Sequence, residues 1–161
     1  MSFNYCPSCR SEITDQIIEQ EPRRACSSDD CNFVHYENPT PVVAAIVEHE
    51  GEIILAHNRE WPMRFFGLIT GFLEKNELPE PAVLREVKEE LNLDAHSPTL
   101  IGHYRFPAMN QLIIAYHVHA EGEITLNHEL DEYKRVKIEK LRPWPTGTGE
   151  AVADWLRSKN N

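Results

Sequence analysis

The pattern of apolar and polar positions predicts a mixture of strands and helices. Residues 42–48, VVAAIVE, are an almost unbroken β-branched and small apolar run, as a strand buried on both faces requires. His49-Glu50-Gly51 supplies a turn, and residues 52–57 form the return strand of a hairpin. Residues 65–70, FFGLIT, predict a further strand running into Gly71. Pro79 and Pro81 then stand where a helix's first turn has no use for their missing N–H groups, so a helix is expected over 79–91. With Glu86 as reference, Glu90 falls at about +40° and Glu89 at about −60°, while Val87, Leu91 and Leu84 fall between about +100° and +160°. One side is therefore acidic and the other apolar, and Ala82 adds only a methyl group to the acidic side, leaving room for a ligand. Asn92 occupies the position after the helix where a left-handed conformation is wanted. Strands are expected over 99–106 and 112–120, joined around Pro107-Ala108-Met109-Asn110, and again over 133–138. A last helix starts at Thr148 as N-cap and buries Ala151, Val152 and Trp155.

The acidic side of the first helix carries the candidate chemistry. Glu86, Glu89 and Glu90 stand at i, i+3 and i+4, within about one turn, and like charges so placed repel unless one protonates or a cation sits among them. Hard carboxylate oxygens suit Mg²⁺ or Mn²⁺. Around this helix, Arg59 ends a strand and is a candidate for a substrate phosphate, and Glu74, in the loop before the helix, is a candidate substrate contact. His117-x-His119 has metal-ligand spacing on a strand, but with no third ligand nearby in the sequence the pair reads as partly exposed strand residues. Residues 127–132, NHELDE, form a second acidic cluster between strands.

Composition narrows the classes. The 161 residues, 41% hydrophobic, suffice for one main core and a small appendage. A net charge of −10 argues against broad, salt-driven binding to a phosphate backbone, though a small anionic substrate remains compatible if a cation mediates. No apolar run approaches the ~20 residues of a membrane span, and the N-terminus has no hydrophobic segment of a secretory signal, so a cytoplasmic protein with no membrane partner is expected. All four cysteines lie in residues 1–36 as Cys6-x2-Cys9 and Cys26-x4-Cys31. Two close pairs of thiolates resemble a zinc ribbon, and a segment this short needs a metal to fold. His35 is expected on the surface rather than in the shell. The linker Tyr36-Glu37-Asn38-Pro39-Thr40-Pro41 favours extended backbone, which places the second domain at 37–161.

In order, Gly71, five residues, Glu77, seven residues and Arg85-Glu86-Val87-Lys88-Glu89-Glu90-Leu91-Asn92-Leu93 resemble the signature of the Nudix hydrolases, with Asn92 in place of the usual glycine. The resemblance implies an α+β fold, an α/β/α sandwich with a mixed sheet, here preceded by the zinc ribbon. It implies hydrolysis, with divalent metal, of a diphosphate linked to another moiety. Carried over by position, Glu86 and Glu90 are the main ligands of Mg²⁺ or Mn²⁺, Glu89 a further one and the Gly71 carbonyl another. Arg85 orients the carboxylates by a bidentate contact, and Glu86 or Glu89 is the general base.

The ribbon narrows the resemblance to the zinc-containing NADH pyrophosphatase branch, which implies Phe72 as a base-stacking residue and Glu129 as a late metal ligand, with Glu132 as its substitute. That branch has an aromatic and proline-rich specificity motif after the box, where this chain reads Tyr104-Arg105-Phe106-Pro107-Ala108-Met109-Asn110-Gln111. The expected substrate is a nucleotide, NADH, NAD or ADP-ribose first and FAD next. A capped RNA end presents the same linkage, although the acidic composition disfavours nucleic acid in general. A homodimer is common for such folds. The alternative is a Nudix-fold nucleotide sensor using the ribbon as an interaction module, against which stands the complete set of box carboxylates.

Overall fold

A computed structural model describes residues 4–61 and 63–159 of the chain, which divides into two compact units, Met1–Asn38 and Pro39–Asn161. In the first unit, β1 (Ile13–Ile18) and β2 (Glu21–Cys26) form a hairpin, and the two-residue strand β3 (Val34–His35) pairs with β2 to give a three-stranded antiparallel sheet. Its apolar centre is small: Cys6, Ile13 and Cys26 are buried, with Cys31 and Phe33 packed against them.

The second unit is built around β4 (Thr40–His49), whose residues 43–47 have no exposure to solvent on either face. β4 lies parallel to β8 (Gln111–Glu121), which pairs antiparallel with β7 (Asp94–Phe106). On the other side β5 (Glu52–Asn58) pairs with β4 and with β9 (Leu130–Lys137). The sheet is thus mixed, in the order β7-β8-β4-β5-β9. Val43, Ala45 and Val47 face α1 (Pro79–Leu91) through Ala82, Val83, Val87 and Leu91, whereas Ala44 and Ile46 face α2 (Gly149–Lys159) through Ala151, Val152 and Trp155. Alternation along one strand therefore supplies both cores, and the expected α/β/α sandwich is the fold.

The strand expected over 133–138 is β9, which starts three residues earlier at Leu130, and three further expectations change in detail. The strand expected over 65–70 is β6 (Ile69–Phe72), displaced toward Gly71, because pairing with β4 runs Ala45↔Ile69 to Val42↔Phe72 while Gly67 makes only an isolated bridge to Ala56. β7 begins five residues early, at Asp94, and accommodates Pro98 at an irregularity between His96 and Thr99. Ala82 belongs to the buried core rather than to ligand space, since the helix is rotated so that Glu90, not Ala82, lies at the inner edge of its acidic side.

Helix α1 ends at Asn92 in the left-handed conformation, φ 59° and ψ 16°, with its N–H bonded to the Lys88 carbonyl. Glycine has no Cβ to strain there, so Asn92→Gly is expected to raise the free energy of unfolding by about 0.5–1 kcal/mol in denaturant titration, with activity unchanged.

Candidate active site

The cleft arises from the way β4 shares one edge between two partners. Its C-terminal part, Val47 to His49, pairs with β5, whereas Val42 to Ala45 pair with β6. β5 and β6 therefore diverge, and between them opens a cleft of about 460 Å³ walled by residues that include Ala56, Asn58, Trp61, Thr70, Gly71 and Phe72 and, from α1, Arg85, Glu86, Glu89 and Glu90. Glu129 enters from the loop before β9.

Gly71 is required by close approach. A Cβ built on it would stand 1.8 Å from the Glu86 carboxyl carbon, so any side chain would displace that carboxylate. The helix is fixed to the sheet by Arg85, whose Nε and Nη2 donate to the two carboxylate oxygens of Glu77 at 2.8 Å each, while Nη1 donates to Glu86 at 2.8 Å and Glu89 at 3.1 Å, and Nη2 also reaches the Phe72 carbonyl. The bidentate partner is thus Glu77, a signature position to which sequence reasoning gave no role. Arg85 holds the Glu77 carboxyl down at about 2, chiefly through those hydrogen bonds. Glu77 also accepts the backbone N–H of Glu74, closing the loop that begins the helix; the Glu74 side chain lies on the cleft wall.

Glu129 is set by a loop that caps α1. Thr125 and Asn127 donate backbone N–H groups to the Leu91 and Glu90 carbonyls, the orphan acceptors of a helix end, and Asn127 Oδ1 accepts from the N–H groups of Glu129 and Leu130. Arg59 holds the other side: its N–H donates to the Glu129 carbonyl and its Nε to that of Leu130. Arg59 therefore positions the acidic loop, while other residues wall the cleft. Glu132 lies on β9 and accepts from Arg64 at 2.6 Å, which leaves Glu129 as the late carboxylate beside the helix.

Four carboxylates, Glu86, Glu89, Glu90 and Glu129, consequently converge, and their environments differ. Glu89 is exposed, whereas Glu90 is buried. Desolvation, followed by repulsion from Glu86, Glu129 and Glu89, pushes Glu90 up to about 8, and desolvation also raises Glu86 against the opposing pull of Arg85. A set of oxygens in which one member stays protonated at neutral pH until a cation arrives fits a hard divalent ion. A carboxyl at about 8 in the fold and 4.5 when unfolded binds more protons in the folded state between those values, so in metal-free protein the contribution of Glu90 to stability is lost as pH rises from about 5 to 8. The melting temperature is expected to fall over that interval, and added Mg²⁺ or Mn²⁺ to abolish the fall while releasing protons near pH 7.

Beside the cleft lies an apolar pocket of about 320 Å³, lined by Trp61, Met63, Phe65, Phe106 and Trp144 among others and sharing Val42, Trp61, Leu68, Thr70 and Gln111 with the cleft. Trp61 and Phe65, and Phe65 and Trp144, have ring centroids 5.4 Å apart. Sequence reasoning missed this pocket, although two Trp-Pro pairs, at 61 and 144, mark it. Of the segment after the helix, Phe106 and Gln111 contribute, whereas Tyr104 is buried and donates to Asp154 of α2 at 2.8 Å. Phe72 stands 58% exposed at the cleft mouth, free to offer a ring face.

In the first unit, the four cysteines are free thiols with sulfur separations of 3.7 Å (Cys6–Cys31) and 3.4 Å (Cys9–Cys26). Disulfides, at about 2.05 Å, are excluded by these lengths. A tetrahedral ion with sulfur bonds of about 2.3 Å needs sulfurs about 3.8 Å apart, so the cluster fits zinc. His35 stays outside it, in β3, 4.0 Å from Glu37. Among the described residues no helix is long and apolar enough to cross a membrane.

Comparison with known proteins places this geometry. The curated NAD-capped RNA hydrolase NudC of Stutzerimonas stutzeri is 28% identical over 154 residues, and that of Pseudomonas aeruginosa 24% over 143. These alignments take in 94% and 88% of this chain but 54% and 50% of the relatives, so the chain spans about half the length of the curated proteins it matches. A NUDIX hydrolase structure from Nitrosomonas europaea superposes with a TM-score of 0.80 at 23% identity, covering 98% of this chain and 93% of that one. An ADP-ribose pyrophosphatase from Streptococcus suis gives 0.61 at 20% identity, covering 77% and 94%. Both structures share the fold of the second unit. The model of the NUDIX domain matches residues 38–156, which include every carboxylate of the cleft, and the chain belongs to the Nudix family.

Proposed function

We propose that the chain is a divalent-metal-dependent pyrophosphatase that hydrolyses the diphosphate of a nucleoside diphosphate joined to a second moiety. The observation that carries this reading is the convergence of Glu86, Glu89, Glu90 and Glu129 on one cleft that opens onto an aromatic pocket. Mg²⁺ or Mn²⁺ held there by Glu86 and Glu90, with Glu89, Glu129 and the Gly71 carbonyl, would neutralise charge developing on the phosphates and acidify a bound water. Arg85 keeps Glu86 and Glu89 in place through the bonds described above, and one of these two glutamates takes the proton from water. Phe72 offers a face to a base, and the aromatic pocket excludes water around the other flat group of the substrate. Zn²⁺ on Cys6, Cys9, Cys26 and Cys31 is structural.

NAD(H) and ADP-ribose are the first candidates, because both join a second ring or sugar to a diphosphate, and the names of the relatives, NAD-capped RNA hydrolase and ADP-ribose pyrophosphatase, point to the same linkage. FAD and a cofactor-capped RNA end follow. The test is product analysis over NADH, NAD, ADP-ribose, FAD and a nucleotide sugar with Mg²⁺ and with Mn²⁺. Release of two monophosphates from a dinucleotide supports the proposal; no cleavage of any diphosphate with either ion overturns it.

A further inference from the structure

The sequence offers His117-x-His119 without a third ligand, and the fold supplies one. Parallel pairing of β4 with β8 sets Glu48 opposite His119 and Ile46 opposite His117, so Glu48 and both imidazoles project from the α2 side of the sheet. The Glu48 carboxylate and His117 Nε2 are 2.9 Å apart, the His117 and His119 rings have centroids 4.8 Å apart, and one donor atom from each of the three residues lies within 4.8 Å of the others. We propose that Glu48, His117 and His119 form a further metal site, of the class that takes a borderline transition-metal ion such as Zn²⁺, Co²⁺ or Ni²⁺.

The site is separate from the carboxylate cleft. Val42, on the same strand, walls the cleft, and six residues at about 3.3 Å each place Glu48 some 20 Å away. His117 is buried and its ring packs on Trp155 at 5.1 Å, which fixes one ligand. His119 is exposed and needs only a side-chain rotation to bring its nitrogen to the spacing of about 3.4 Å that bonds of 2.0–2.1 Å demand. An open pocket of about 430 Å³ lies over Glu48 and His119, and its other walls include Glu50, Glu121 and His96, so its field favours a cation. The His96 ring stacks on His119 at 6.0 Å with its Nδ1 3.1 Å from the Ser97 hydroxyl, so water fills the fourth position. Lys159 Nζ lies 4.0 Å from Glu48, beyond the direct contact at His117, and moves aside when metal binds. Two imidazoles with one carboxylate select against Mg²⁺, whereas the cleft offers oxygen alone. A bound ion would tie β4 to β8 at the end of the sheet remote from the cleft.

The test is calorimetric titration of Zn²⁺ into the full chain, its cysteine cluster already loaded with zinc and Mg²⁺ in excess to occupy the cleft. The expected result is one additional Zn²⁺ per chain, with a melting temperature that rises with zinc. Outer-shell partners of a metal are worth about 10–100-fold in affinity, so loss of a ligand in His119→Ala or Glu48→Gln is expected to weaken this ion by more than about 100-fold. His119 is exposed, so its removal leaves the core packed even if His117→Ala does not fold. Glu90→Gln must retain the additional ion. No additional zinc in the wild type, its survival in His119→Ala, or its loss in Glu90→Gln would each overturn the proposal.

Discussion

Glu90→Gln is expected to lower kcat by about a thousandfold or more with Mg²⁺ or Mn²⁺ while leaving the metal-free protein folded. The two halves of this expectation have one origin. Glu90 is 7% exposed, and burial with three neighbouring carboxylates holds it at about 8, so at pH 7 without metal its side chain is already neutral. An amide of the same shape reproduces that neutral form, and the unfolding free energy at pH 7 is expected to stay within about 0.5 kcal/mol of the wild type. With metal the comparison reverses, because glutamine cannot supply the charge that the cleft donates. Removing several kcal/mol of charge stabilisation corresponds to three or more decades in rate. The same substitution reduces the fall in stability between pH 5 and 8, since Glu90 no longer titrates and only the raised Glu86 still contributes. Turnover within tenfold of the wild type would refute the metal-ligand role, and a collapsed melting transition would show that the carboxylate is structural instead.

The helix that carries this residue was legible from the chain alone, because each of its limits has a local cause. Pro79 and Pro81 define its first turn and Asn92 its left-handed end, and the observed boundaries are those expected, Pro79–Leu91. β4 was legible for a similar reason, since a strand buried on both faces leaves an unbroken apolar run. What escaped was set by partners distant in sequence. The aromatic pocket draws on Trp61, Phe65, Phe106 and Trp144 from separate segments, and no periodicity links them. Glu48 met His117 and His119 only through the register of a parallel pair, which local patterning does not encode. Ala82 was misplaced because a helical wheel gives angles but not the rotation of the helix on its sheet. Glu77 stood in plain view within the signature, yet its role as the bidentate partner of Arg85 depends on the loop folding back through the Glu74 N–H.

The two units are expected to respond to zinc removal separately. Among the described residues unit 1 buries Cys6, Ile13, Ala25 and Cys26 with help from Cys31 and Phe33, far too little apolar surface to hold some thirty-eight residues in place. Zinc on four thiolates would contribute on the order of 10–16 kcal/mol, which would make the ion the dominant source of stability there. In Cys26→Ser one of four ligands is lost at a buried position; bound zinc should fall by one ion per chain, and the amides of β1, β2 and β3 should lose their protection from hydrogen exchange. Unit 2 has its own two cores on either side of β4, and its amides in β4 and β8 should remain protected. Steady-state kinetics on the same variant then separate the roles of the ribbon. If kcat is retained while unit 1 exchanges freely, the ribbon acts outside the chemical step. If kcat falls together with protection in unit 2, the two units are energetically coupled. Retained protection of the β1–β2 hairpin without zinc would mean that this small sheet folds on its apolar contacts, and the structural role assigned to the metal would be wrong.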